Sequence, residues 1–579
     1  MSLSPSPGAR ALRLGALLGA LALSPAALAG PAAEAPAGGL VGVLSAEVDR
    51  LWASLQAQPE PAYWLAVDVV DRRTIDIQST HGASSPVNES RARLADLDLR
   101  VGSPQLDQTH KIRDAGWFSE EPRPELDLPF VDIPDRALRL SLWRAADDAY
   151  RSAVRRLTRV RNNDAVKVAR EDRSADFSSA PTIVDLRDGP SLALDKERWR
   201  EVIRQASALF LEYPDVFDSN VSLSAVEETE TFVSSEGTRL RYGRVRARLA
   251  AWGGTVAEDG MELQVYDYIE VADPSRLPDP DAVEAMVRGV ASRVEALRQA
   301  PLVEPFVGPA ILRGRAAAVF FHEILGHRLE GHRQKDEDEG QTLTDKIGQR
   351  IFPTFIQVTD DPTATAWRGE DLSGHYPYDD EGVAAEPVNA VVDGVLKGFL
   401  MSRSPIEGFD RSNGHGRRQP GAAVVARQGN LIVTATQTMP YDALRARLID
   451  EVKKQGKPFG LIFEDISGGF TFTGRATPNA FQVTPVVVWR VFADGRPDQL
   501  IRGADLIGTP LVAFDRIVAA SDRSEVFNGV CGAESGWVPV SAAAPDLLLR
   551  EVEVQRKEKE NDRPPLLPPP GVRNPGGPS

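Results

Sequence analysis

The sequence predicts an α+β protein. An N-terminal α/β sandwich-like domain of antiparallel sheet and helices should precede a β-rich C-terminal domain with a histidine-bearing helix at its start. Three observations carry this. Val216 to Val271 alternates apolar and polar positions between Gly breaks, as a β-meander does, with helical periodicity on both sides. From Pro387 onward the chain is mostly short β-rich runs separated by Gly, Asp and Pro. Between these regions, Ala316 to His332 (AAAVFFHEILGHRLEGH) is Ala-rich and apolar, the composition of a buried helix.

In chain order, residues 1–29 read as a secretory leader. Arg10 and Arg13 precede the apolar run Leu14 to Leu23, and Ala27-Leu28-Ala29 is a small-x-small cleavage site. The run is too short to span a bilayer, and no later stretch is long enough. The mature chain should therefore lack a membrane span, and the expected location is periplasmic or secreted. Residues 30–300 form the expected first domain. Leu40 to Leu55 reads as a helix, and Tyr63 to Ser79 as a hairpin around a polar turn. Arg91 to Val101 alternates with a phase slip at Ala95, which suggests an edge strand with a bulge. Asp135 to Val160 places Trp143, Ala146, Tyr150, Ala153, Val154 and Leu157 on one helical face. Asp195 should cap a helix that Pro214 ends, and Asp281 to Gln299 is helical. Pro301 to Pro309 looks like a linker opening the second domain, residues 301–555. Within it, Asp393-Gly394 marks a hairpin between Pro387 and Leu400. Residues 556–579 are a Pro/Gly-rich tail expected to be disordered.

Composition excludes several function classes. Of 579 residues, 67 are Lys or Arg and 83 are Asp or Glu, for a net charge of -16. Phosphate backbones need a basic footprint, so nucleic acid is not an expected partner. One cysteine, Cys531, rules out an internal disulfide. Only seven histidines occur, yet His322, His327 and His332 fall together on the expected buried helix.

His322, Glu323 and His327 form the pattern H-E-x-x-x-H. The familiar metallopeptidase pattern places the histidines at i and i+4, on one helical face. Here the second is at i+5, which on an ideal helix leaves the rings about 140° apart. A wider turn of about 4.4 residues would bring them within roughly 50°. Gly326 is the residue most tolerant of distortion, so a bulge or break is expected near Leu325-Gly326. Two imidazoles could then hold Zn²⁺, with Glu323 taking a proton from water. His327 and His332 form a rival pair, without a Glu beside its first member. A catalytic zinc needs a third protein ligand, and Cys531, Glu330, His332, His375 and His415 are candidates. Cys531 lies in what reads as a glycine-flanked turn, Asn528 to Gly532.

Six segments carry a resemblance to a known family. They are FHEILGHRLEG (Phe321 to Gly331), DDEGVAAEP (Asp379 to Pro387), VVDGVLKGFLMSR (Val391 to Arg403), NGHGRRQ (Asn413 to Gln419), GADLIGTPL (Gly503 to Leu511) and NGVCGAESGWVPVSAAAP (Asn528 to Pro545). Together they resemble the TldD/PmbA family of metallopeptidase-like proteins. The resemblance implies zinc held by His322, His327 and Cys531, with Glu323 as base. It implies an N-terminal α/β domain, a β-rich C-terminal domain, and a dimer around the active site. The dimer could be a homodimer or a heterodimer with a related subunit, and the implied substrates are small or unfolded peptides. The chain departs from the family at Glu330-Gly331-His332, where Asp usually replaces the histidine. His332 is thus a possible extra ligand. The leader is also unusual for the family.

Substrate contacts are expected at four residues. Arg417 and Arg418 follow Gly414-His415-Gly416 and could grip a carboxylate, or form a solvated or structural ion-pair site. Gly468 and Gly469 expose backbone to which a peptide could add as a strand, or they lie in an ordinary strand. The expected activity is zinc-dependent peptide hydrolysis. The alternative is a non-catalytic peptide-binding or assembly subunit with structural zinc.

Overall fold

The computed structural model describes residues 39–112, 126–128, 135–164, 172–475 and 480–559. The expected leader and the Pro/Gly tail from residue 560 lie outside the described residues. Helix α1 (Leu40–Gln56) buries Leu44, Val48, Leu51 and Leu55, a stripe at three- and four-residue steps. Strand β1 (Ala62–Thr80) is one long strand, not the expected hairpin. The polar stretch Asp71-Arg72-Arg73 is held in extended form by cross-strand ion pairs instead of turning. Asp71 takes a fork from Arg93 at 2.6 and 2.8 Å, Arg72 pairs with Glu228, and Arg73 with Glu89.

Strand β2 (Asn88–Ser103) is not an edge strand. It lies between β1 and two short strands, and its register with β1 runs through Ala95 without a bulge. The phase slip has another cause: both faces are buried. Ala95, Leu99 and Val101 enter the helix-side core, while Asp96, Asp98 and Arg100 are buried on the opposite face. Helix α2 (Asp135–Asp164) packs on β2 through Leu138, Leu142, Ala146, Ala153 and Leu157. Trp143 is 49% exposed, so the buried stripe is rotated from the expected one. Helix α3 (Lys196–Ala208) begins as expected, with the Asp195 carboxylate accepting from the Arg198 amide. Strands β3 (Asp218–Ser234), β4 (Arg239–Val256) and β5 (Glu262–Val271) are the meander. The antiparallel order is β2-β1-β3-β4-β5. Helix α4 (Pro280–Gln299) joins α3 over Leu223 and Leu249. All four helices cover one face of the sheet, since the core residues of β1 and β3 in both clusters share one parity.

The opposite face meets loops from the C-terminal half in a charged seam. Asp68 on β1, Asp96 on β2 and Asp380 surround Arg418, and Glu230 on β3 lies beside Asp68 and Asp380. Arg418 lies 3.7 Å from Asp68 and 3.5 Å from Asp96, and its amide donates to Asp380 at 2.6 Å. Burial pushes the Asp68 carboxyl up to about 8; Arg418 opposes this, while Asp380 and Asp96 add to it. An unfolded Asp ionises near about 3.9, so between that pH and about 8 the folded chain keeps a proton that the unfolded chain has lost. Stability from this group is full below the unfolded value and falls as pH rises through the folded one. Asp68→Asn should therefore flatten the decline in urea midpoint between about pH 5 and about pH 8. An unchanged slope in the variant would remove Asp68 as its source.

The second sheet positions the histidines. Strand β6 (Phe306–Leu312) begins inside the expected linker and pairs with two later strands. Helix α5 (Gly314–Ile324) follows. Strands β7 (Ile356–Asp360) and β8 (Val388–Val392) come next, with the expected tight turn after β8 at Asp393 (φ 50°) and Gly394 (φ 74°). Then come β9 (Asn430–Ala435), α6 (Tyr441–Lys454), β10 (Phe459–Thr471), β11 (Phe481–Phe492) and β12 (Ala504–Gly508). A long hairpin, β13 (Ile517–Ala533) and β14 (Gly536–Arg556), ends the fold. Strand β6 pairs in parallel with β10 and antiparallel with β14, which closes β6-β10-β11-β12-β14 into a ring. Helix α5 packs against β14, β10 and β13, and all of it except Arg315 is buried. Its C-terminal end thereby meets the tip of the β13-β14 hairpin.

Candidate metal centre

Helix α5 stops at Ile324, and Leu325 departs from helical geometry at φ −119°, ψ −51°. A tighter 3₁₀ turn, Gly326–Leu329, follows. The break falls where the sequence placed it, but by a change of direction and not by a widened turn. Gly326 lets the amide of Gln428 lie against the chain there, and a Cβ would push that amide aside. His322 sits in the last turn of α5 and His327 in the 3₁₀ turn. Their rings stand edge to face, with centroids 5.0 Å apart.

Cys531 lies on strand β13 opposite Val538, not in a turn as the glycines suggested. Its neighbours Gly529 and Gly532 are instead covered by the rings of Phe527 and Trp537. The Cys531 Sγ is 3.2 Å from His322 Nε2 and 3.3 Å from His327 Nε2. All three donors lie within 4.8 Å of one another, the only such set among the described residues. Tetrahedral zinc with ordinary bond lengths keeps its nitrogen and sulfur ligands about 3.5 Å apart, so this donor set fits a zinc ion. All three side chains are buried.

The electrostatics suit a cation. Burial alone would raise the Cys531 thiol, but His327 and His322 outweigh it and hold the thiol well below its ordinary range. Burial opposes charge on His327, yet Cys531 and Glu330 raise it well above the usual imidazole value. Glu330 lies 3.2 Å from His327 Nδ1. Burial raises the Glu330 carboxyl, but His327, Arg333 and Arg427 hold it down to about 2. An ionised Glu330 accepting from Nδ1–H leaves the Nε2 lone pair free for a metal. Sequence reasoning had Glu330 only as a candidate ligand. The signal was its place three residues after His327, which is one full turn of a 3₁₀ helix.

Glu323 is buried beside the donors, and its Oε2 has no hydrogen-bond partner among the described residues. Burial raises its carboxyl, with His322 and His327 pulling against the rise. Gly469 lies directly beside it, where a Cβ would stand 2.8 Å from Glu323 Cγ. Gly468 is in the left-handed region at φ 156° with open space around it. Both glycines belong to β10 and pair with Thr484 and Val483 of β11. Arg328 ties strand to helix, donating to the Glu323 carbonyl at 2.8 Å and to the Phe472 carbonyl at 3.2 Å.

The other candidate ligands are turned elsewhere. His332 Nε2 pairs with Glu534, His375 Nδ1 with the Pro362 carbonyl, and His415 Nε2 with Asp360. Arg417 and Arg418 correct the expectation of substrate contact, because both are buried and engaged within the protein. Arg418 holds the acidic seam. Arg417 stacks on Tyr376 and donates to the carbonyls of Gln428 and Pro539 at 2.8 and 2.7 Å.

Residues 307–556 match the model of the PmbA/TldA metallopeptidase C-terminal domain, a span that holds all three donors and Glu323. This segment is a C-terminal domain of the TldD/PmbA family. A metalloprotease of Methanocaldococcus jannaschii is 26% identical over 363 residues, 62% of this chain and 72% of that protein. A protein of Haemophilus influenzae named a metalloprotease TldD homologue is 30% identical over 288 residues, 47% of this chain and 55% of its own. A Saccharolobus solfataricus protein named a zinc metalloprotease TldD homologue is 24% identical over 247 residues, 42% of this chain and 51% of its own. Among solved structures, TldE of Thermococcus kodakarensis superposes with a TM-score of 0.55 at 14% identity, covering 88% of this chain and 98% of that one. That likeness establishes the fold. The three relatives matched by sequence are named metalloproteases, which supports a metallopeptidase family for this chain. Among the described residues, no helix is long and apolar enough to cross a membrane.

Proposed function

We propose that the chain is a zinc metallopeptidase that hydrolyses peptide bonds in small or unfolded peptides. The observation that carries this is the convergence of His322, His327 and Cys531 beside a buried carboxylate with an unpartnered oxygen. His322 Nε2, His327 Nε2 and Cys531 Sγ would hold the ion, with Glu330 fixing the His327 tautomer. When bound, zinc supplies Lewis-acid polarisation to the scissile carbonyl and the attacking water. Glu323 takes the water proton on its free carboxylate oxygen and returns it to the leaving amine nitrogen. Its burial keeps competing water away and favours the return of that proton.

The place of the substrate follows from β10. Its pairing with β6 ends at Phe463, while its pairing with β11 continues to Thr471. One edge of residues 464–471 is therefore without a strand partner among the described residues, and this stretch passes Glu323 at Gly469. An extended peptide can add there through main-chain hydrogen bonds, which reads backbone more than side chains. Small or unfolded peptides adopt such an extended form most readily. We assign the protein to an exported, periplasmic or secreted setting on the strength of residues 1–29, and to a homodimer or a heterodimer with a related subunit.

The competing reading is a non-catalytic peptide-binding or assembly subunit with structural zinc. The engagement of His332 with Glu534 speaks against it, since a structural site would want a fourth protein ligand. A digest of an unstructured peptide library tests both. The enzyme should cleave it with zinc, lose cleavage to a chelator, and leave a folded protein of the same composition intact. Zinc-replete protein that leaves every peptide whole would establish the competing reading.

A further inference from the structure

The metal donors come from two arms. The imidazoles sit at the end of α5, and the thiolate sits on a hairpin strand 204 residues beyond His327. Arg333 joins Glu330 to the Glu534 carboxylate of the hairpin turn at 2.8 Å each, and a second arginine reaches the backbone of the thiolate itself. Arg427 is fully buried, and its backbone amide is fixed to the His415 carbonyl at 2.9 Å. Nη2 donates to the carbonyl of Cys531 at 2.8 Å. Nη1 donates to Ser535 Oγ at 2.8 Å and to the Gly536 carbonyl at 3.1 Å, so it also grips the hairpin tip. On its other side, Nε lies 3.3 Å from Glu330, the carboxylate that holds His327 Nδ1.

We propose that Arg427 is a positioning residue that locks the thiolate arm and the imidazole arm of the metal site into one register. It acts through the Cys531 carbonyl on one side and the Glu330 carboxylate on the other. The planar fork is what the geometry needs. Three acceptors on the tip lie in reach of two nitrogens, while the third nitrogen faces a charge elsewhere. Lysine offers a point charge and cannot span both arms. The residue does not touch the reacting atoms, and its effect should appear first in metal affinity. This inference rests on the metal-site reading above.

The test measures zinc affinity of the full chain by competition with a chromophoric chelator, for wild type, Arg427→Met, Glu330→Gln and the double variant. Arg427→Met should bind zinc about 10–100-fold more weakly. The double variant should be little worse than either single one, because the two residues act as one unit. Arg427→Lys should fall between wild type and Arg427→Met. In the cobalt-substituted protein, the thiolate-to-metal charge-transfer band should shift in Arg427→Met, a signature that loss of stability alone does not produce. Folded Arg427→Met with wild-type zinc affinity would overturn the proposal, as would losses that multiply in the double variant. If Arg427→Met does not fold, Arg427→Lys decides on the same two criteria. Wild-type protein that binds no zinc would overturn the metal site itself, an outcome separate from the failure of Arg427.

Discussion

Glu323→Gln is expected to lower turnover by about 10²–10⁴-fold while zinc content stays at the wild-type level. The amide has nearly the shape of the carboxylate, so the close contact with Gly469 is kept. What disappears is the oxygen that can accept a proton. Because Glu323 Oε2 has no hydrogen-bond partner among the described residues, the change breaks no hydrogen bond at that atom. Stability should hold or rise, since an ionised carboxylate in a buried place is costly. The measurement pairs turnover on an unstructured peptide with metal content of the same sample. Full turnover in a metal-verified variant would sink the role given to Glu323.

Cys531→Ser is expected to empty the site. The hydroxyl is a poor ligand in its neutral form, and two imidazoles alone hold zinc weakly. The loss in affinity should exceed the roughly 100-fold at which changes to outer partners of a metal site top out. Cys531 is the single cysteine of the chain, so no second thiol can take its place. Metal content after dialysis against a chelator is the readout, and unchanged zinc in the variant would reject the donor set. Turnover should fall with the metal and should not return on moderate zinc addition.

Much of this centre was legible in the sequence, and particular residues explain the rest. The spacing of His322 and His327 demanded a break near Gly326, and the break is there. Its type was not legible, because what packs against Gly326 is the Gln428 amide, a hundred residues away. The glycines around Cys531 read as a turn, yet they serve to seat Phe527 and Trp537 on a strand. Likewise Asp71-Arg72-Arg73 read as a turn because its compensating charges, Arg93, Glu228 and Glu89, lie on other strands. Asp96, Asp98 and Arg100 broke the expected alternation because a second layer of charged side chains buries the polar face of the sheet. Arg417 and Arg418 looked like surface cations for the same reason. Local pattern fixes which face of an element is apolar, but it is silent on what covers the other face.

The arrangement of the two arms also bears on how the protein comes to exist. The imidazoles are synthesised early in the C-terminal half, and the thiol follows only near its end. Strand β14, which closes the ring and supports the Cys531 hairpin, follows the thiol in the sequence. A nascent or prematurely ended chain therefore holds histidines with no sulfur to meet them. A chain that stops short of the hairpin would lack one of the three proposed donors and should hold zinc far more weakly.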